Sequence, residues 1–288
     1  MGTGTLYLVG TPVGNLEDLT YRAVRILGEV DVVAAEDTRV SGKLLHYLNL
    51  SKPMVSYHEH NRRQRGPELV QRMLRGETCA LVTDAGMPAV SDPGEELADL
   101  CHEAGIPVVP VPGACAAVCA LAQSGLPSDK WCFEGFLPTA NKPRRARLDV
   151  LRAEPRTCIV YEAPHRLRAT LRDLAEALGE RRVSISRELT KLHEECLRMT
   201  LPEACAHYET HEPRGEFVLV IEGAREDAAQ SAADRMAQAI ALTEELTAAG
   251  LTLTAAVKQA ARQTGARKNQ LYQAMLARES GENGETGE

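Results

Sequence analysis

Aromatic residues make up only 4% of the 288-residue chain, with one Trp and three Phe. A core must therefore be built mainly from Leu, Val and Ala. No apolar run reaches the roughly 18–20 residues that a membrane-spanning helix needs, so no span is expected. The stretch MGTGTLYLVGTPVGNLED has no basic lead-in and meets Gly, Pro and acid early, which reads as a first strand rather than an export signal. The eight cysteines include no C-x-x-C pair and mostly lie in apolar runs, where a thiol acts as a small hydrophobe. Reduced thiols and a cytoplasmic location are expected. His58 and His60 form H-x-H without a third partner in sight, so no metal is expected. Neither a Walker A sequence nor G-x-G-x-x-G is present. A formal net charge of −7 excludes indiscriminate coating of nucleic acid, because phosphate binding needs basic surface.

What is present is an alternation of strand and helix signals, which implies an α/β architecture with a large parallel component. TLYLVG, DVVAAED, TCALVTDAG and IPVVPVPG read as strands, with helical patterns between them. Asp92, Pro93 and Glu95 predict a capped helix start. The cluster of Gly135, Pro138 and Pro143 predicts a break. The resulting division has an α/β domain at 1–126, a linker at 127–138 and a second α/β domain at 139–226. A helical, helix-turn-helix-like extension follows at 227–278, then a disordered acidic tail at 279–288.

Two turns stand out. Val9–Thr20 places Gly10 and Gly14 after a strand. Leu81–Glu96 ends a strand in Asp84-Ala85-Gly86 and opens a helix after Ser91-Asp92. Ligands in α/β sheets bind at the carboxyl ends of strands, so two polar, glycine-containing turns point to one pocket. Pro112-Gly113 opens a helix of small residues that lets something pack on its start. Glu36, Asp37 and Arg39 arrive together at another strand end, where a capped helix start is the simpler account. His58, Glu59 and His60 precede Arg62, Arg63 and Arg65, a grouping suited to a phosphate-bearing substrate. Tyr161-Glu162 and the segment around Lys191 repeat the strand-end logic in the second half.

Taken together, TPVGNLEDLT, EDTR, HEHN, DAGMPAVSDPG, PGACAA, SGLP, FEGFLP, YEAPHRL, RELTK and GEFVLVIEG resemble the tetrapyrrole-methylase-like superfamily of S-adenosylmethionine enzymes. Within it they resemble the branch that modifies small-subunit ribosomal RNA. The resemblance runs unbroken from Leu6 to Gly223. Gly14-Asn15 stands where tetrapyrrole enzymes carry Gly-Asp, which fits the RNA branch. The resemblance implies two α/β domains with S-adenosylmethionine in the cleft between them, a helical extension, and a homodimer. It also implies methylation of a cytidine ribose 2′-hydroxyl in the decoding region of 16S rRNA. Because RNA recognition commonly uses shape and the 2′-hydroxyl, the assembled subunit is expected as substrate.

On this resemblance Pro12, Gly14, Asp84, Ala85, Gly86, Ser91, Asp92, Ala114, Cys115, Ala116, Tyr161 and Glu162 would bind the cofactor. Glu36, Asp37, His58, Glu59 and His60 are candidates for the base, with Arg39 or Lys191 as polarisers. RNA contacts are expected from Arg62, Arg63, Arg65, Lys142, Arg144, Arg145, Arg147, Arg267 and Lys268. The rival readings are a small-molecule methyltransferase, which needs no basic patches, and a non-catalytic RNA-binding regulator, which leaves the strand-end turns without a purpose.

Overall fold

The computed structural model describes residues 2–224 and 226–282. The chain forms two compact units. One comprises the residues up to Leu148 together with Arg156–Glu222, and the other Asp149–Pro155 with the chain from Gly223.

Among the described residues the first unit holds two five-stranded sheets. The first contains β1 (Leu6–Val9), β2 (Val32–Ala35), β3 (Met54–Ser56), β4 (Cys79–Val82) and β5 (Val108–Val111), in the order β3-β2-β4-β1-β5. Every pairing in it is parallel. Successive side chains of a strand face opposite ways, so a sheet covered on both faces needs continuous apolar strands. Leu6, Val32, Ala34, Cys79 and Leu81 face one core, with Leu69 and Met73 of α3 (Arg62–Leu74) and Leu97 and Cys101 of α4 (Glu95–Glu103). Val9, Val33, Ala35, Ala80 and Val82 face the other. There they meet Ala23, Ile26 and Leu27 of α1 (Tyr21–Glu29) and Leu45 of α2 (Thr38–Tyr47). With so few aromatics, these cores are aliphatic as the composition requires.

The second sheet contains β6 (Trp131–Phe136), β7 (Thr157–Glu162), β8 (Arg182–Arg187), β9 (Glu195–Thr200) and β10 (Phe217–Ile221), ordered β6-β7-β10-β8-β9. Only β6 and β7 pair in parallel; the other pairings are antiparallel. Helix α5 (Ala116–Ser124) covers one face through Ala117, Ala120 and Leu121, packed on Ile159, Val218 and Val220. On the other, Tyr208 of α8 (Leu201–Thr210) meets Phe217 edge-on, and α7 (Pro164–Leu178) packs beside α8.

Three boundaries in the first unit differ from the sequence reading. The stretch 127–138, expected as a linker, contains β6. Gly135 there marks an irregularity in the pairing with β7, not a chain break. Helix α5, counted with residues 1–126, packs on the second sheet because its small-residue face matches Val218 and Val220. Helix α4 begins at Glu95, with Gly94 rather than Asp92 before it, because Ser91 and Gly94 take left-handed φ values of 61° and 148°.

The second unit is helical. Helices α9 (Glu226–Ala248), α10 (Leu253–Thr264) and α11 (Lys268–Glu282) share a core of Ala239, Val257, Ala260, Leu271 and Met275. Helix α11 runs through 279–282, which were expected to belong to the tail; 283–288 lie outside the described residues. Among the described residues no helix is long and apolar enough to cross a membrane.

The ends of β1 and β5 meet at two glycines. A Cβ on Gly113 would lie 2.7 Å from Gly10 Cα, and one on Gly10 would lie 2.6 Å from Gly113 Cα. Backbone cannot yield as a side chain can. Gly113→Ala is expected to lower stability by about 1–3 kcal/mol, seen as a lower urea midpoint at constant m. An unchanged midpoint would mean that the strand ends separate freely.

Candidate active site

Parallel strands deliver their carboxyl ends to one edge of the sheet. β1 and β4 are neighbours there, yet the helices that follow them, α1 and α4, cover opposite faces. A crevice opens where the connections diverge in this way. Its two turns are tied together. Thr11 N–H donates to the Gly86 carbonyl at 2.9 Å, and Gly86 N–H donates back to Thr11 at 3.1 Å. The Thr11 hydroxyl also donates to the Thr83 carbonyl at 3.1 Å. Gly86 has φ +88°, a conformation that a side chain would resist.

Carboxylates gather beside this bridge. Thr83 Oγ1 donates to Glu36 Oε2 at 2.6 Å, and the Asp37 amide donates to Asp84 Oδ1 at 3.2 Å. Burial raises the Asp84 carboxyl, and Glu36 adds to the effect. Asp92 is pushed up to about 6, first by burial and then by Glu36, although Thr83 opposes the shift. Asp37 behaves differently. Its side chain accepts from the Arg39 amide at 2.8 Å and from the Arg39 guanidinium at 2.6 Å. These bonds hold its carboxyl at about 2. Asp37 thus caps α2 and anchors Arg39. A cavity of about 350 Å³ is lined by Glu36, Glu59, Arg62, Ser91, Asp92 and Glu95, with Ala89 and Pro93.

Strain is concentrated around this crevice. Among the described residues five non-glycine positions have left-handed φ, and four lie in two loops: Ala89 and Ser91, and Glu188 and Thr190. Such outliers persist where surrounding contacts enforce them, and they point to function. The second loop reaches across to the first turn. Thr190 Oγ1 donates to the Val13 carbonyl at 2.7 Å. The Lys191 stem lies against Gly14, where a Cβ would come within 2.5 Å of it. Burial pulls the Lys191 ammonium down, but Glu216 at 2.8 Å and Glu188 at 3.0 Å outweigh it and hold the proton more firmly.

The second sheet supplies Tyr161. Its hydroxyl accepts from the Ala117 amide at 3.0 Å, its ring meets Phe133 and Phe136 edge-on, and burial raises it to about 12. Glu162 has a side chain with no exposed surface. It accepts from Thr170 Oγ1 at 2.5 Å and from the Ala163 amide at 2.9 Å, and pairs with Arg166 at 3.3 Å. It faces this network rather than open space.

The structure therefore brings Glu36, Asp84, Ser91, Asp92 and Glu59 to one crevice, with Pro12, Gly14, Ala85 and Gly86 in its two turns. Ala114, Cys115 and Ala116 lead into α5, whose N-cap residue Cys115 makes no side-chain cap bond. His58 is not among the residues lining the cavity; its Nδ1 is buried with no partner among the described residues. Lys191 is held by its own carboxylates on the far side of Gly14. Several expected RNA-binding cations are engaged within the protein. Arg62 pairs with Glu59 and Glu96, each at 3.1 Å, and Arg65 with Glu68 at 2.6 Å. Arg144, 11% exposed, holds Asp173 at 2.6 Å and Thr170 at 2.9 Å. Arg147 chelates Glu134, and Arg267 donates to the Asp149 carbonyl. Arg63, Lys142, Arg145 and Lys268 are exposed. Thr11, Thr83, Thr190 and Glu188 were not anticipated. All four lay in segments the sequence singled out, Thr11 and Thr83 at strand ends of the first half and Glu188 and Thr190 beside Lys191, but nothing marked them individually.

Residues 5–205 match the family of tetrapyrrole (corrin/porphyrin) methylases. A uroporphyrin-III-C-methyltransferase from Thermus thermophilus has the same fold, with a TM-score of 0.54 and 25% identity over 75% of this chain and 94% of that one. The chain belongs to the tetrapyrrole methylase family and is a methyltransferase. More specifically, it is 49% identical to the ribosomal RNA small subunit methyltransferase I of Synechocystis sp., over 96% of this chain and 99% of that one. It is 47% identical to the protein of the same name from Halalkalibacterium halodurans, over 93% of each.

The Asp92 shift carries a stability signature. Its carboxyl rises from its ordinary 3.8 to about 6 on folding, so between those values the folded state holds the extra proton. Stability then falls as pH rises through that window. Asp92→Asn is expected to flatten the fall and to raise the urea midpoint at pH 7. A variant with wild-type pH dependence would show that Asp92 titrates normally.

Proposed function

We propose that the chain methylates small-subunit ribosomal RNA with S-adenosylmethionine as donor, at the ribose 2′-hydroxyl of a cytidine. Near full-length similarity to proteins named ribosomal RNA small subunit methyltransferase I carries this reading. The chemistry of the crevice supports it. Bound S-adenosylmethionine supplies a methyl group made electrophilic by a positively charged sulfur. A cavity lined by Glu36, Glu59, Asp92 and Glu95 against Arg62 alone favours such a cation. The Gly86 turn leaves room that a side chain would fill, since a Cβ would meet Ala114 O and Val13 at 3.6 Å.

In this reading Asp84, Ala85, Gly86, Ser91 and Asp92 hold the donor, and the uncapped amides leading into α5 take its carboxylate. Tyr161 supports that helix start through Ala117. Glu162, facing away from Tyr161, holds the start of α7 through Ala163, Arg166 and Thr170 and is a positioning residue. Pro12 and Gly14, braced by Thr190 and Lys191, border the methyl. The protein's main task is to align a hydroxyl with that carbon, and such alignment is worth about 7–11 kcal/mol of barrier. A base for a ribose hydroxyl works best when its pKa lies near the working pH. Asp92, at about 6, meets that condition better than Asp37, at about 2. Arg39, held by Asp37, is the polarising cation beside the cluster.

The substrate is the assembled subunit in this reading, because RNA recognition relies largely on shape and the 2′-hydroxyl. Mapping of 2′-O-methyl groups on small-subunit rRNA from cells with and without the protein should show one site disappear. Calorimetry should detect S-adenosylmethionine binding to the purified chain. An unchanged methylation map, or efficient methylation of naked short RNA, would overturn the substrate assignment. For the donor-free enzyme, kcat/KM for the donor should climb with pH through an apparent pKa near 6, and Asp92→Asn should abolish that limb. Survival of the limb would remove Asp92 from the proton transfer.

A further inference from the structure

The helical unit carries a surface that the methyl-transfer chemistry leaves unused. Between Glu245 and Glu279 the chain has no acidic residue, while Lys258, Arg262, Arg267, Lys268 and Arg278 all fall in that interval. The helical period sorts them. Ala256, Val257 and Ala260 of α10 are buried, which leaves Lys258, Gln259, Arg262 and Gln263 exposed. Leu271 and Met275 of α11 are buried, which leaves Lys268, Asn269, Gln270 and Gln273 exposed. Gly265, with φ +73°, turns the chain between the two helices.

Two of the five cations are already committed. Arg267 donates to the Asp149 carbonyl and lies 3.8 Å from its carboxylate, so it fastens the turn to Asp149. Arg278 pairs with Glu244 at 2.7 Å. Lys258, Arg262 and Lys268 are exposed and make no ion pair among the described residues. The sequence reading named Arg267 and Lys268; the periodicity of α10 adds Lys258 and Arg262, and the Asp149 contact withdraws Arg267.

We infer that this basic, amide-rich face of α10 and α11 docks on the sugar–phosphate backbone of ribosomal RNA, an inference that rests on the substrate reading above. The three free cations match phosphate charge. The amides between them, Gln259, Gln263, Asn269, Gln270 and Gln273, are side chains that bond phosphate oxygens and sugar hydroxyls. A lipid surface would call for large exposed apolar side chains, and none of those exposed among the described residues falls on α10 or α11. The contact reads shape and backbone, because the major groove of an A-form helix is too narrow to admit α11.

The test uses the full-length enzyme and purified small ribosomal subunits lacking the methyl group. Binding is measured over a range of salt for the wild type and for the triple variant Lys258→Gln, Arg262→Gln, Lys268→Gln. Each lost phosphate contact should make the slope of log affinity against log salt shallower by about 0.7–0.9, so the variant should lose roughly two to three in slope. Its Kd for subunits should rise at least about tenfold at moderate salt, while its S-adenosylmethionine affinity and urea midpoint stay at wild-type values. The conservative variant Lys258→Arg, Lys268→Arg should keep the wild-type slope. Wild-type affinity and slope in the triple variant would overturn the docking surface and leave the substrate reading intact. Failure of the wild type itself to bind or methylate subunits would instead overturn the substrate reading.

Discussion

The reciprocal backbone hydrogen bonds between Thr11 and Gly86 join the ends of β1 and β4, and the arrangement of the crevice follows from that junction. They set the height of the Thr83 carbonyl, which the Thr11 hydroxyl also holds. Thr83 then fixes Glu36 from the neighbouring strand, and Glu36 raises Asp84 and Asp92. The same bridge leaves the Val13 carbonyl and Gly14 facing the second half of the unit, where Thr190 and Lys191 meet them. A chain of short contacts therefore connects a strand end in one sheet to a strained loop from the other.

Charge is divided by location. The crevice gathers carboxylates and keeps its cations paired, so a phosphate gains nothing by entering it. Exposed cations without an ion pair among the described residues lie elsewhere, for example Lys258, Arg262 and Lys268 on α10 and α11, and Arg63, Lys142 and Arg145. A protein with net charge −7 can then hold a cationic donor in one place and a polyanion in another without a conflict of sign. The arginines that pair internally take another part: Arg144 ties α6 (Asn141–Ala153) to α7 through Asp173 and Thr170, and Arg147 neutralises the nearly buried Glu134.

The parallel sheet was legible because its strands are continuous apolar runs that end in polar turns. The crevice was legible for the same reason, since glycine and acid after such runs mark a carboxyl-end site. Asp37 at the start of α2 followed directly from local capping chemistry. Three features were not legible. Ala89, Ser91, Glu188 and Thr190 take left-handed backbone without being glycine, and nothing in residue type announces a conformation imposed by distant contacts. Trp131–Phe136 forms a strand although Gly135 and two prolines nearby signalled a break, because pairing with β7 absorbs the irregularity. Whether an arginine is free or paired depends on residues far away in sequence, such as Asp173 for Arg144, so a basic run alone overstated the basic surface.

The place of β10 has a consequence for how the enzyme comes into being. It is the last strand of the first unit in the chain and the middle strand of the second sheet, between β7 and β8. Helix α5, made about a hundred residues earlier, rests on Val218 and Val220 of that strand. Until residue 221 has been synthesised α5 has no complete floor. A truncated or stalled product ending before β10 would present the strand-end turns of the first sheet without the floor on which α5 rests.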